Sequence, residues 1–559
     1  TGGQVEAIIT AFSAEGEGWA LTAEKARSDT EMNARMTRPV LTIHREREGE
    51  APEQITITAD TGVYRRTPKE RVTLEGNVVV DFAGEPPAVL TTERLEMDPE
   101  AETAMTDALV TLTSETREGH QKITAQGAEF RYQERLLTLP TNIRAELHGE
   151  QALLPGAEGL ESEPPKETGE ADSGPTLTVV TCDGPCIADG FRDTIVLTNQ
   201  VVLRQKEGTL EADRMEGLIN REDREVERFV AEGNVRFGGE GISGGCARLV
   251  RSAADGALVM SGEPATVTQG ASRIEAERLE LDPESGRLFA PAKGRLVLAS
   301  PEPKEGEDAA PPMVVDWLRF MRFDRAAHEA VFNGDVEFTQ EGRMIQCQTL
   351  TVQFDESNRN LVECRAEEEV HVRGAIEGIG SVEASGDSEN APQEIIGSSR
   401  EMILNPEKQT VVFAGDAALT TGDRTIRGER IVMDQREESL RVEGTGSLES
   451  APATEGDEPM RVAWQGEMAF DHRTGEAVFR RGVSLSQAGR SLEADTVSAE
   501  LAEENRLRSL RARGNAVMQE QPEKEGDEPR QVRADSLEVR LNEKNEFEGD
   551  PVVADYAKR

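Results

Sequence analysis

The sequence predicts an all-β chain in which two facing antiparallel sheets are built from tandem repeats. Three observations predict it: apolar residues alternate with period two over most of the chain, a glycine returns in the middle of such stretches, and a second motif alternates with the first. Helical periodicity is scarce. Its best candidate, "TAEKARSDTEMNARM" (22–36), is short.

The first motif reads apolar-x-apolar-x-Gly-x-apolar-x-apolar. It occurs as "RVTLEGNVVVDF" (71–82), "RFVAEGNVRF" (228–237), "VFNGDVEF" (331–338), "VVFAGDAAL" (411–419), "VFRRGVSL" (478–485) and "LRARGNAVM" (510–518). Gly-Asn ordinarily signals a two-residue hairpin turn. A hairpin centred on Gly334-Asp335 would set Phe332 opposite Glu337, mixing apolar with charged side chains on one face. A continuous strand keeps each apolar set on one face, so the continuous strand is expected. Glycine inside a strand marks a bend, bulge or close backbone approach. Each is expected to sit where a strand bends from one sheet into the facing one, with the neighbouring Asn or Asp turned to water.

The second motif includes "LTTERLEM" (90–97), "LEADRM" (210–215), "IEAERLEL" (274–281), "IRGERIVM" (426–433), "LEADTV" (492–497) and "VRADSLEV" (532–539). Its phase changes midway: Ile274 and Ala276 are on even positions, Leu279 and Leu281 on odd ones. A bulge or a crossing between sheets restores the apolar set to the interior. Turns such as "DPESG" and "DESN" follow. Together the two motifs make a unit of roughly 25 to 35 residues, a period typical of stacked arrays.

Composition agrees with a thin architecture. Only 36% of the 559 residues are hydrophobic and 4% aromatic, which suits a narrow two-layer core. Disorder is the competing reading of low hydropathy with high charge, but regular alternation argues against it. The net charge of −44 speaks against nucleic acid and against electrostatic docking on anionic membranes. Its bland explanation is a soluble, non-sticking surface. No apolar run reaches the roughly 18 residues of a membrane helix. The chain begins at Thr1, so any anchor or export signal is expected in an N-terminal segment absent from it.

In order along the chain, "GEGWALTAEKA" (16–26), "RPVLTIH" (38–44), "ITADTGVY" (57–64), "VTLEGNVVV" (72–80) and "LTTERLEMDPEAETAMTDALVTL" (90–112) resemble periplasmic lipopolysaccharide-transport proteins of the LptC type. Units over about 176–555 resemble tandem copies of the related LptA/OstA repeat. The resemblance implies an elongated V-shaped β-jelly roll, or β-taco, open at both ends. It implies that lipopolysaccharide acyl chains lie in the trough between the sheets. It also implies end-to-end pairing through edge strands, an inner-membrane lipopolysaccharide ABC transporter at one end and an outer-membrane translocon at the other. The expected organisation is an LptC-like lobe at 1–148, an acidic Pro/Gly-rich linker at 149–175 and OstA-like repeats at 176–300, 313–448 and 460–559. Loops at 301–312 and 449–459 separate the repeats. LptC-type proteins usually carry an N-terminal membrane anchor and end near the close of the first lobe, so this chain reads as a covalently fused bridge.

Physics supports the trough without the resemblance. A V-shaped pair of sheets cannot close its core as a sandwich does, and leaves an apolar groove. Burial at about 0.8 kcal/mol per methylene holds an acyl chain without directional contacts. The expected lining residues are Val72, Leu74, Val78, Val80, Leu95, Met97, Val235, Phe237, Val336, Phe338, Val411 and Phe413.

Catalytic and metal chemistry find little support. Paired carboxylates carry no information among 107 Asp and Glu. The six histidines (His44, His120, His148, His328, His371, His472) are scattered without metal-ligand spacing. No GxSxG, phosphate-cradling loop or calcium repeat occurs, so neither catalytic residue nor cofactor is expected. Cys182, Cys186, Cys246, Cys347 and Cys364 are expected as small buried apolar side chains, with Cys182–Cys186 or Cys347–Cys364 disulfides the alternative. Trp19, Trp317 and Trp464 are expected in core packing rather than in a ligand cage. A structural or adhesive surface solenoid with a closed core is the alternative function.

Overall fold

The computed structural model describes residues 7–9, 12–16, 18–30, 33–45, 53–83, 87–116, 119–149, 176–206, 208–220, 226–239, 241–254, 256–282, 285–299, 311–356, 361–374, 394–451, 459–501, 507–521, 530–541 and 547–555. Among them are 38 β-strands and no helix. Two compact units divide the chain, Thr1–Leu288 and Phe289–Arg559. The ladders described in both are antiparallel and join strands close in sequence, giving all-β walls.

In the N-terminal unit the glycine stretch is one strand, Arg71–Phe82. It pairs with Ala88–Asp98, and the register slips between Glu75 and Val78. Gly76 and Asn77 lie at the slip with φ of 80° and 43°. Glycine reaches that region without a steric penalty, and Asn reaches it more readily than most residues. The bulge bends the strand yet leaves Val72, Leu74, Val78 and Val80 on one buried face. The preceding strand turns the same corner by breaking: Glu53–Thr58 and Thr61–Arg65 pair with the two halves of Arg71–Phe82.

Ring contacts show that the two halves face each other. Through the ladders, Phe82 is in row with Ala88, Ser114 and then Gln121. Its ring instead meets Phe130 edge-on at 5.3 Å, beyond the left-handed Gly127 on the Gln121 strand. Only opposed arms bring those two side chains together.

The stretch 22–36 is not helical. Strands Trp19–Thr30 and Asn33–Arg45 occupy it, with Ala26 opposite Met36 and Arg27 opposite Arg35. Pairing buries Leu21, Ala23, Ala26, Ala34 and Met36 together, and this tertiary gain overrides the helix-favouring Ala, Glu and Lys. Thr141–Gly149 pairs with Thr176–Cys182, so the ladder continues on both sides of 150–175, which lies outside the described residues.

The C-terminal unit repeats the device. Strands Glu329–Gln340, Thr410–Thr421, Glu476–Gln487 and Leu507–Glu520 slip register at Gly334-Asp335, Gly415-Asp416, Arg481-Gly482 and Gly514-Asn515. All eight of these residues have positive φ. The alternating strands carry the second motif, and its phase change falls at the corner. Along Arg490–Leu501, Leu492 and Ala494 are buried before the slip, Val497 and Ala499 after it. Trp317 and Trp464 cross corners here, stacking at a tilt on Phe332 and Phe479.

Candidate functional site: the apolar trough

Alternation aims one side chain in two toward the inner faces of the sheets, and most of the residues expected to line a trough are buried. Val72, Leu74, Val78, Val80, Leu95 and Met97 are buried in the N-terminal unit, as is Val235. Val336, Phe338, Val411 and Phe413 are buried in the C-terminal unit. Phe237 is half-buried: its ring lies over Gly244 on the next strand, where a Cβ would come within 2.3 Å of it. None exceeds 6% exposure among the other eleven, so the chain's own atoms cover them.

The outer faces are charged. Arg214 bonds Glu232 at 3.0 Å, and Arg248 reaches the same carboxylate at 3.0 Å. Exposed pairs of this kind contribute little each, about 0–1 kcal/mol, and mark the water side of the wall.

All five cysteines are free and buried. Burial pushes the thiols of Cys186, Cys347 and Cys364 up to about 12 and that of Cys246 to about 11, so they remain protonated near neutrality. Among the described residues, no group of three or more His, Cys, Asp or Glu is arranged to hold a metal ion. His148 meets the His120 carbonyl through Nδ1 at 2.6 Å.

Comparison with known families accounts for the architecture. Residues 6–148 match the LptC-related lipopolysaccharide-assembly family. Residues 188–287 and 321–439 match the LptA/(LptD N-terminal domain) lipopolysaccharide-transport family. The chain is an LptC-like lobe followed by LptA-like repeats. No curated protein matches it. Among solved structures, LptH of Pseudomonas aeruginosa, described as the LptA homologous periplasmic component of the lipopolysaccharide transport device, is 14% identical. That match covers 25% of this chain and 93% of LptH, with a TM-score of 0.19.

The LptC-like lobe and the LptA-like repeats share a corner contact that sequence reasoning missed. Asn77 donates to Asp60 at 2.7 Å, and Asn234 to Asp213 at 2.8 Å. Beyond the matched repeats, Asn515 donates to Asp495 at 2.9 Å. Asp213 and Asp495 lie on the strand before the asparagine and Asp60 at the break in it, and each also covers the corner glycine, so a Cβ at Gly514 would fall 2.4 Å from Asp495. The signal was present: "TADTG", "EADRM" and "EADTV" each precede a Gly-Asn stretch. At other corners Gln348 bonds Asp335 at 2.7 Å, and Arg400 pairs with Asp416.

Proposed function

We propose that the chain is a non-enzymatic periplasmic conduit that carries lipopolysaccharide, or a similar glycolipid, by its acyl chains between the arms of the V. The observation that carries this reading is the largely apolar inner face, formed in the LptC-like lobe by Val72, Leu74, Val78, Val80, Leu90, Leu95 and Met97 around the one buried Thr92, and recurring in the repeats. Membership of lipopolysaccharide-assembly and transport families supports it. Because the lining side chains are covered, an acyl chain enters as the arms part, exchanging protein contacts for lipid contacts. Such an exchange changes buried apolar area little, which favours sliding over tight capture.

The lobe at 1–148 faces the inner-membrane ABC transporter, and the OstA-like repeats at 176–300, 313–448 and 460–559 pass lipid toward the outer-membrane translocon. End strands pair with related β-jelly rolls, and an N-terminal segment preceding this chain anchors it to the inner membrane. A photo-crosslinking residue at Val80 or Phe237 is expected to capture lipopolysaccharide well above surface-site controls. Signal no higher than those controls overturns the conduit.

Full coverage of the lining favours one other reading, a structural array with a permanently closed core. That reading expects no interior crosslink to lipid at either site.

A further inference from the structure

Among the described residues, three buried side-chain atoms have no hydrogen-bond partner: Asn33 Oδ1, Trp464 Nε1 and Gln487 Oε1. Two belong to carboxamides, which can turn to bring a nitrogen to the same place. The third is an indole nitrogen, which only donates. Trp464 ends the strand Met460–Trp464 in the inward phase of Val462 and is 1% exposed. It is paired with Gly446, where a Cβ would fall 2.4 Å from its Cζ2 and 2.7 Å from its Cε2. Cε2 is the ring carbon bonded to Nε1. Directly opposed residues project to the same side of a sheet, so the N–H edge of the indole lies over the inner face of the neighbouring strand.

The other inward residues of this corner, Val442, Met468, Phe479 and Val483, are each at most 4% exposed and carry no side-chain oxygen. Trp317 marks the contrast. It is paired with Gly294 in the same way, but its N–H reaches the carbonyl of Ala292, two residues back where the strand is broken. Two residues before Gly446 stands Gly444, the left-handed corner glycine of the unbroken Ser439–Ser450.

We propose that Trp464 Nε1 donates to the carbonyl oxygen of the ester or amide that joins an acyl chain to its headgroup. A buried donor without a partner forfeits the hydrogen bond that water gives it in the unfolded chain. Hydrocarbon passing over the indole cannot restore that bond, whereas a carbonyl can. An acyl chain carries that oxygen at one end only, so the bond also fixes where the chain halts along the trough. Trp317, whose N–H is already engaged, offers no such station. The inference rests on the conduit reading and adds a polar contact that selects acyl over alkyl chains.

The test compares two glycolipid probes in the same detergent: a sugar phosphate with two ester-linked chains and its ether-linked counterpart of equal chain length. The full chain should bind the ester probe about three- to tenfold more tightly, the reach of one neutral hydrogen bond. Replacing Trp464 by benzothienylalanine keeps the ring volume, exchanges N–H for sulfur and should erase that preference. A preference that survives the replacement, or equal weakening of both probes, overturns the assignment while the conduit stands. So does a wild type that binds both probes alike, the result expected if water satisfies the indole. Indole N–H resonances of the wild type give a second readout that needs no change at Trp464. Assigned by elimination with Trp19→Phe and Trp317→Phe, the Trp464 signal should move with the ester probe only; no such movement overturns the proposal. A wild type that binds neither probe overturns the conduit reading as well.

Discussion

Trp317 and Trp464 occupy equivalent places in the C-terminal unit. Each ends a short strand, crosses a corner and rests on a phenylalanine, Phe332 at 5.5 Å and Phe479 at 5.3 Å. After the first the chain reads "LRFMRFD", after the second "QGEMAFD". Inward positions agree: Met321 and Met468 are both 3% exposed. Outward positions do not, for Leu318 and Phe320 stand where the second copy has Gln465 and Glu467. The indoles differ too. Trp317 donates from Nε1 to the Ala292 carbonyl at 2.8 Å, whereas the buried Nε1 of Trp464 finds no partner among the described residues. The reason lies in the strand before: Arg287–Ala290 and Gly294–Leu298 are separated around Pro291, and the break frees a carbonyl. Ser439–Ser450 passes the second corner unbroken. Packing fixes what faces the trough, while the rest of the repeat is free to diverge.

Removing either indole should be the largest perturbation. Trp317→Ala and Trp464→Ala are each expected to lower unfolding stability by about 3–5 kcal/mol in urea denaturation. A loss below about 1 kcal/mol at one of them would break the equivalence of the corners. Subtler variants sharpen it. Trp317→Phe removes a satisfied donor and strands a carbonyl, and should lower stability by about 1–3 kcal/mol. Trp464→Phe loses the same ring volume but a donor with no partner, and should cost about 1 kcal/mol less than Trp317→Phe. Equal losses would mean that both N–H groups are satisfied in solution. Smallest of all, Leu318→Gln copies one exposed position of the second corner onto the first. Stability should move by no more than about 0.5 kcal/mol, and a larger drop in the same denaturation assay would show that the exterior is not free to vary.

Much of this fold is legible in the residues. The inward sets around Gly76, Gly334 and Gly415 identify continuous bent strands because a hairpin would bury Glu337 beside Phe332. The phase change in "LEADTV" marks a corner for the same reason. The stretch 22–36 misleads because local propensity favours a helix, and only pairing with the adjacent strand Asn33–Arg45 decides otherwise. The Asp60–Asn77 clamp escapes notice because its halves lie apart in the chain, and sequence spacing alone does not bring them together. For the trough, period-two phase tells which side chains point inward. How closely the two arms approach depends on contacts such as Phe82–Phe130, which no local pattern encodes.

Among the described residues, the ladders join neighbours in the chain, or reach one or two fragments past a broken strand. A wall assembled that way has no long-range closure to preserve. Duplicating or deleting a pair of strands would leave the register of all the others untouched and change the span by about 4.8 Å per strand. Length is thus an adjustable property of this architecture, changed by adding or removing pairs of strands.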